Sequence, residues 1–315
     1  MGKKHLRNFS SLFGFLLLGL SLWAIGGQLR EYNYHDILNS LVALPKIRLV
    51  WALGLTSLAY LALSGYDLLA LHYIRYSLAY WKIVLANFIS NAVSNTIGLS
   101  LLTSSAIHYR FYSGWGIPPV AIAIAIAFVN LSFCLGLLAL GGVIFLLVPL
   151  PIPPQINFPW LSARPLGVIF LLIIGIYLLG SLFIRKPFKL GNLDFRFPSF
   201  KMAAALIAVS SVEWGLAAAV LYTLLPETTA LSYPTFLGIY LLAMAAGVFS
   251  NVPGGLGVFE TIVLLLVWPH IPAATVFASL LAYRGVYYFL PLFIATLLLG
   301  FYELKTRSKY KSKRW

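Results

Sequence analysis

The sequence predicts an all-α polytopic membrane protein. About six full spans and two re-entrant helical hairpins form an inverted repeat, or six to eight transmembrane helices by ordinary counting. Three observations predict it. Of 315 residues, 61% are hydrophobic and only 10% charged, whereas a soluble domain carries about 25% charged residues. Six apolar stretches reach the roughly 20 residues needed to cross a hydrocarbon core. Lys and Arg gather in three segments that orient those stretches. A soluble enzyme is excluded. The net charge of +14 reports topology and contact with anionic lipid, not nucleic acid.

The chain is read as one integral membrane domain over 1–304, with pseudo-repeats at about 1–150 and 151–304 and a basic cytoplasmic tail at 305–315. The first span, about 9–27, follows Lys3, Lys4 and Arg7. No small-x-small site follows its apolar run, so it is expected to stay uncleaved. The second span covers about 49–71. Region 80–107 is too polar for a simple span, with Asn87, Ser90, Asn91, Ser94, Asn95, Thr96, Ser100, Thr103, Ser104 and Ser105. Spans at about 118–149, 166–184 and 202–225 follow. Region 235–269 is broken by Ser250-Asn-Val-Pro-Gly-Gly-Leu-Gly257, and the last span covers about 273–301. Cys134, the single cysteine, sits among apolar neighbours and reads as a buried, inert thiol.

Charge and parity set the topology. The N-terminus, the loop with Arg185, Lys186, Lys189, Arg196 and Lys201, and the tail from Lys305 to Arg314 are expected to be cytoplasmic. Region 80–107 then enters and leaves on the cytoplasmic side. Region 235–269 is expected to be a second hairpin opening outside, because Pro253 and its glycines would break a span near its middle. Three short crossings there would also satisfy parity.

The two odd regions resemble each other. Val93-Ser-Asn-Thr-Ile-Gly98 matches Phe249-Ser-Asn-Val-Pro-Gly254, and Ile117-Pro118 and Ile271-Pro272 each open a long helix after a tryptophan, Trp115 or Trp268. Because the halves start on opposite sides, the repeat is inverted, the architecture of alternating-access transporters. In register, Glu260 falls near Thr103 and Arg284 on Asn130. The second half thus holds an acid and a base where the first holds neutral groups.

Glu260 follows the breaker and lies either at a functional depth or merely at the start of a half-helix, capping its dipole. Arg284, about eleven residues into the last span, needs a partner; Glu260 is the first candidate and Glu213 the second. Tyr283, Tyr287 and Tyr288 supply hydroxyls or pack. Asn91, Ser94 and Asn95 are expected to bond to each other and to broken backbone. His108 and Arg110, beside Tyr109 and Tyr112, read as a solvated interfacial cluster or a lipid-headgroup contact. Asp67 is as readily solvent-exposed as functional. The five histidines show no metal-ligand spacing, and no phosphate loop or paired aspartates for magnesium appear. No cofactor is expected.

The runs Asn251-Val-Pro-Gly-Gly-Leu-Gly-Val-Phe-Glu260, Tyr283-Arg-Gly-Val-Tyr-Tyr-Phe-Leu-Pro291, Asn95-Thr-Ile-Gly98 and Ala106-Ile-His-Tyr-Arg110 resemble the lysylphosphatidylglycerol synthetase transmembrane-region family over nearly the whole chain. The family includes the flippase part of the multiple peptide resistance factor and stand-alone membrane proteins. Bifunctional members modify phosphatidylglycerol with aminoacyl-tRNA in a cytosolic domain. The chain ends about a dozen residues after its last span, so that domain is expected to be missing, and with it aminoacyl transfer. The resemblance implies a flippase or transporter of a phospholipid or lipid-linked anionic substrate, in the inner or plasma membrane. The expected substrate-binding residues are Glu260, Arg284, Asn251, Gly254, Gly255, Asn95, Arg110 and Tyr287. A polyprenyl-phosphate-dependent glycosyltransferase with Asp67 or Glu260 as its carboxylate, and a non-transporting partner subunit, stay open. The partner is a membrane lipid, and a homo-oligomer is compatible with the sequence.

Overall fold

The computed structural model describes residues 34–97, 100–148, 150, 163–184, 188–190, 193–195, 197–229, 231–249, 257–267 and 271–312. The expected first span at 9–27 and the breaker residues Asn251, Gly254 and Gly255 lie outside the described residues. Helix α1 (Tyr34–Val42) precedes α2 (Lys46–Tyr73), α3 (Tyr80–Ile97), α4 (Ser100–Gly114), α5 (Pro119–Leu147) and α6 (Ala163–Phe183). A two-stranded antiparallel hairpin, β1 (Phe188–Leu190) and β2 (Leu193–Phe195), leads to α7 (Phe200–Leu224) and α8 (Tyr233–Phe249). Then come α9 (Val258–Val267), α10 (Ala273–Tyr283), a π-helical segment (Arg284–Phe289) and α11 (Leu290–Ser312).

The protein is an all-α polytopic membrane protein. Helices α2, α5, α6, α7 and the Ala273–Tyr302 stretch are long and apolar enough to cross a bilayer, and they match five of the six expected spans. The two odd regions each form a pair of shorter helices, α3 with α4 and α8 with α9, packed against each other. With 10 residues, α9 is only ~15 Å long, half of the ~30 Å core it would have to cross. The β-hairpin was not expected. Its signal is nonetheless in the sequence, since Phe188-Lys-Leu190 and Leu193-Asp-Phe195 alternate around the two-residue turn pair Gly191-Asn192. Cys134 corrects another expectation, for it is exposed on α5.

Prolines start several helices, where a missing N–H costs nothing. Pro45 caps α2, Pro118 and Pro119 begin α5, and Pro272 caps α10. Ser199 caps α7 with its side chain, accepting from the Met202 N–H at 3.4 Å. Inside the last span Pro291 acts differently. It cannot donate to the carbonyl of Tyr287, four residues earlier, and its ring crowds that group. The backbone there widens into the π segment, and Tyr60 from α2 donates to the freed Tyr287 carbonyl at 3.2 Å.

The centre of the bundle is the α2–α7 crossing, with α5 alongside. Close approach needs small residues, because lipid offers no hydrophobic drive for helix association. A Cβ on Gly65 would stand 2.9 Å from Val209 Cγ1, and one on Gly136 would stand 2.7 Å from the backbone carbonyl carbon of Ser210. Both pack on the same turn of α7. Because the obstacle at Gly136 is backbone, Gly136→Leu is expected to force the helices apart and cost at least the ~1–3 kcal/mol of overpacking. A melting point in detergent equal to the parent's would refute that close packing.

The packing pairs recur between the halves. Helix α2 packs on α3 as α7 packs on α8; α3 packs on α4 as α8 packs on α9. Helix α4 meets α5 as α9 meets α10, and α3 contacts α11 as α8 contacts α5.

Candidate functional site

Glycine 257 sets the site's first side chain. At φ +81° it occupies the left-handed region that favours glycine, turning the chain into α9. Three residues on, the Glu260 side chain reaches back, and its Oε2 accepts the Gly257 N–H at 2.9 Å. That is half of a capping box. The other oxygen, Oε1, accepts from Arg284 Nε at 2.8 Å and also from an Arg284 terminal nitrogen. Glu260 is therefore both helix cap and counter-ion. Both partners are buried, at 4% and 5% exposure, and the Arg284 guanidinium lies over the Tyr288 ring with its carbon 4.6 Å from the centroid. Arg284 opens the π segment, so the pair joins a helix start to a helix irregularity. Such single-turn π bulges recur at functional sites.

Tyr287 supplies a hydroxyl, and it does so to Glu213. Glu213 does not pair with Arg284. It accepts from the Tyr66 hydroxyl at 3.0 Å on one oxygen and from the Tyr287 hydroxyl at 3.3 Å on the other. Tyr287 thus serves Glu213 and not the Glu260–Arg284 pair. Asn95 lies near the same elements, close enough to Tyr60 for its amide to act on that hydroxyl. Its neighbours bond to backbone, as expected, but within the unbroken α3 and not where a helix is interrupted: Asn91 Nδ2 donates to the Asn87 carbonyl at 3.0 Å and Ser94 to that of Asn91 at 3.3 Å. Arg110 is exposed on α4, away from these groups by element and by burial.

A second buried cluster overturns the reading of Asp67 as solvent-exposed and of His108 as solvated. Asp67 has no exposed surface, and His108 is 2% exposed. Tyr112 donates to Asp67 Oδ1 at 2.6 Å, while His108 Nε2 at 3.1 Å and the Asn87 amide donate to Oδ2. His108 Nδ1 contacts the Ser104 carbonyl at 2.9 Å. Residues 104, 108 and 112 lie on one face of α4 at i, i+4 spacing. Pairing Asp67 with that stripe was the available signal.

Every described Asp, Glu or His that could ligate a metal stands outside any group of three, so no metal centre forms among the described residues. A cavity of about 540 Å³ opens elsewhere, where α2 begins and α7 ends, lined by Arg48, Trp51, Tyr222 and Glu227 among others. Arg48 there donates to the Leu225 carbonyl at 2.6 Å and to Glu227 at 3.1 Å. Neither Glu260 nor Arg284 lines it.

Comparison with known proteins adds ancestry to this geometry. The family described as lysylphosphatidylglycerol synthase TM region matches residues 11–295. An uncharacterized protein of Synechocystis sp. is 47% identical over 92% of this chain and 90% of its own length. Inner membrane protein YbhN of Escherichia coli is 33% identical over 89% of each chain. A phosphatidylglycerol lysyltransferase of Staphylococcus xylosus is 24% identical over 89% of this chain, which spans only 33% of that longer protein.

Proposed function

This chain belongs to the lysylphosphatidylglycerol synthase transmembrane-region family, and from that premise we propose that it moves a phospholipid or lipid-linked anionic substrate across the cell membrane. The observation that carries the reading is the buried Glu260–Arg284 pair between a helix start and the π segment. An unpaired charge at membrane depth costs at least ~2.5–3.5 kcal/mol, so the two charges hold each other. A headgroup phosphate replaces Glu260 as partner of Arg284, giving two states of one site. The printed name of the staphylococcal relatives points to phosphatidylglycerol as the headgroup class to test first. Fluorescent phosphatidylglycerol in proteoliposomes is expected to reach the opposite leaflet faster than in protein-free vesicles. Equal rates would sink the reading.

The substrate path runs between inverted halves. What supports the inversion is the recurrence of packing pairs, α2–α3 with α7–α8 and α3–α11 with α8–α5, together with α9, too short to span. Both termini are cytoplasmic in this arrangement, and the two short-helix pairs are re-entrant from opposite faces. Single cysteines at positions 100 and 254, in a Cys134→Ala background, are then expected to react with small aqueous thiol reagents from opposite sides only. Labelling of both from one side would refute the inversion.

A further inference from the structure

Three carboxyl groups among the described residues are buried inside the bundle: Asp67, Glu213 and Glu260. Two have a basic partner, His108 for Asp67 and Arg284 for Glu260. Glu213 has none. It is the fourteenth of the 25 residues of α7, close to the middle of a span, and 5% exposed. Its contacts are two hydroxyls, Tyr66 from α2 and Tyr287 from the π segment.

The other titratable groups that reach it are hydroxyls too: Tyr60 from α2, Tyr240 from α8 and Tyr288 from the π segment. Neither α5, α6 nor α10 brings a charged group to act on it among the described residues. Burial penalises a carboxylate's charge, and hydroxyl donors favour it. With neither a cation to lock the anion nor a wholly apolar pocket to exclude it, both protonation states fit the same cage. A hydroxyl can donate to a carboxylate or to the carbonyl of the acid, so little needs rebuilding when the proton leaves.

We propose that Glu213 is a proton-binding site and that lipid movement by this protein is coupled to proton movement through it, an inference that rests on the lipid-transport reading above. The step is simple in balance. A proton from water on one side forms an O–H bond with the carboxylate, and the same proton leaves to water on the other side. The structure also supplies the link to the lipid site. Tyr287 on Glu213 and Arg284 on Glu260 are three residues apart on one π segment. Charging Glu213 strengthens its hold on Tyr287 and thereby biases the segment that aims Arg284. Intramembrane acids are common proton carriers in pumps and transporters; what singles out Glu213 is its cation-free, hydroxyl-lined seat.

The test uses the full chain in proteoliposomes and in detergent. Fluorescent phosphatidylglycerol transfer is measured with and without an imposed pH difference, while a vesicle-trapped pH dye follows protons. In parallel, infrared difference spectra follow the acid carbonyl band between about pH 5 and 9, where buried carboxyl groups release protons. The parent is expected to transfer lipid severalfold faster under one sign of the gradient and to show a titrating acid band. Glu213→Gln is expected to lose the band and to respond to the gradient no more than to a symmetric pH. Tyr66→Phe, which removes one donor to the anion, should keep the band and move its midpoint to higher pH. Parent lipid transfer that ignores the gradient, or a band that persists in Glu213→Gln, overturns the proposal and leaves lipid transport standing. No lipid transfer under any gradient overturns the lipid reading; a band that then still titrates and vanishes in Glu213→Gln supports the proton site.

Discussion

Arg284→Gln is expected to bring lipid transfer down toward the protein-free rate. A charge-assisted hydrogen bond to a ligand contributes about 1.5–3 kcal/mol, so losing it predicts a fall of ~10- to 100-fold. Stability should fall as well. Removing one member of a buried pair leaves the other uncompensated, a loss of about 3–5 kcal/mol, and the Tyr288 and Phe259 rings would also lose the guanidinium that lies over them. The double variant Glu260→Gln/Arg284→Gln separates the two effects. It should recover much of the melting temperature, because no lone charge remains, and none of the transfer. If the double variant transfers lipid at the parent's rate, the pair serves the fold alone.

Asp67→Ala is expected to be the most destabilising single change among the polar residues. It strips the acceptor from Tyr112, His108 and Asn87 together, in a site with no exposed surface at Asp67. A buried charge left without its partner costs ~3–5 kcal/mol, and unsatisfied donors add to it. The melting temperature in detergent should drop by on the order of 10 °C. Asp67→Asn keeps an acceptor for Tyr112 and should lose less. Parent-like melting of Asp67→Ala would mean that water or lipid reaches the cluster.

Much of this architecture is legible in the sequence because the bilayer is a severe solvent. Only long apolar stretches cross it, and five such stretches are helices within a few residues of their expected bounds. The Glu260–Arg284 pair was legible for the same reason, since an isolated arginine in Leu280–Tyr288 demands an anion. The Asp67 cluster was not, because its members are far apart in sequence and each looks interfacial alone. Only the packing of α2, α3 and α4 brings Asp67, Asn87 and His108 together. Glu213, the second candidate partner of Arg284, could not be placed by counting charges without geometry. Two tyrosine hydroxyls, one from α2 and one from the π segment, contact it instead of a cation. The π segment was readable in principle, for Pro291 disturbs the carbonyl four residues before it, yet nothing in the letters says that Tyr60 would take that carbonyl.

The burial of Asp67 also constrains how the protein is made. Its partners Asn87, His108 and Tyr112 emerge from the ribosome 20, 41 and 45 residues after it. At about 5–20 residues per second, the aspartate waits several seconds for the last of them. During that interval α2 carries Asp67, the twenty-second of its 28 residues, with these donors still incomplete, a charge that lipid disfavours the more deeply it sits. The cluster therefore closes only once α4 has been made, and α2, α3 and α4 have to meet before Asp67 gains its full set of donors.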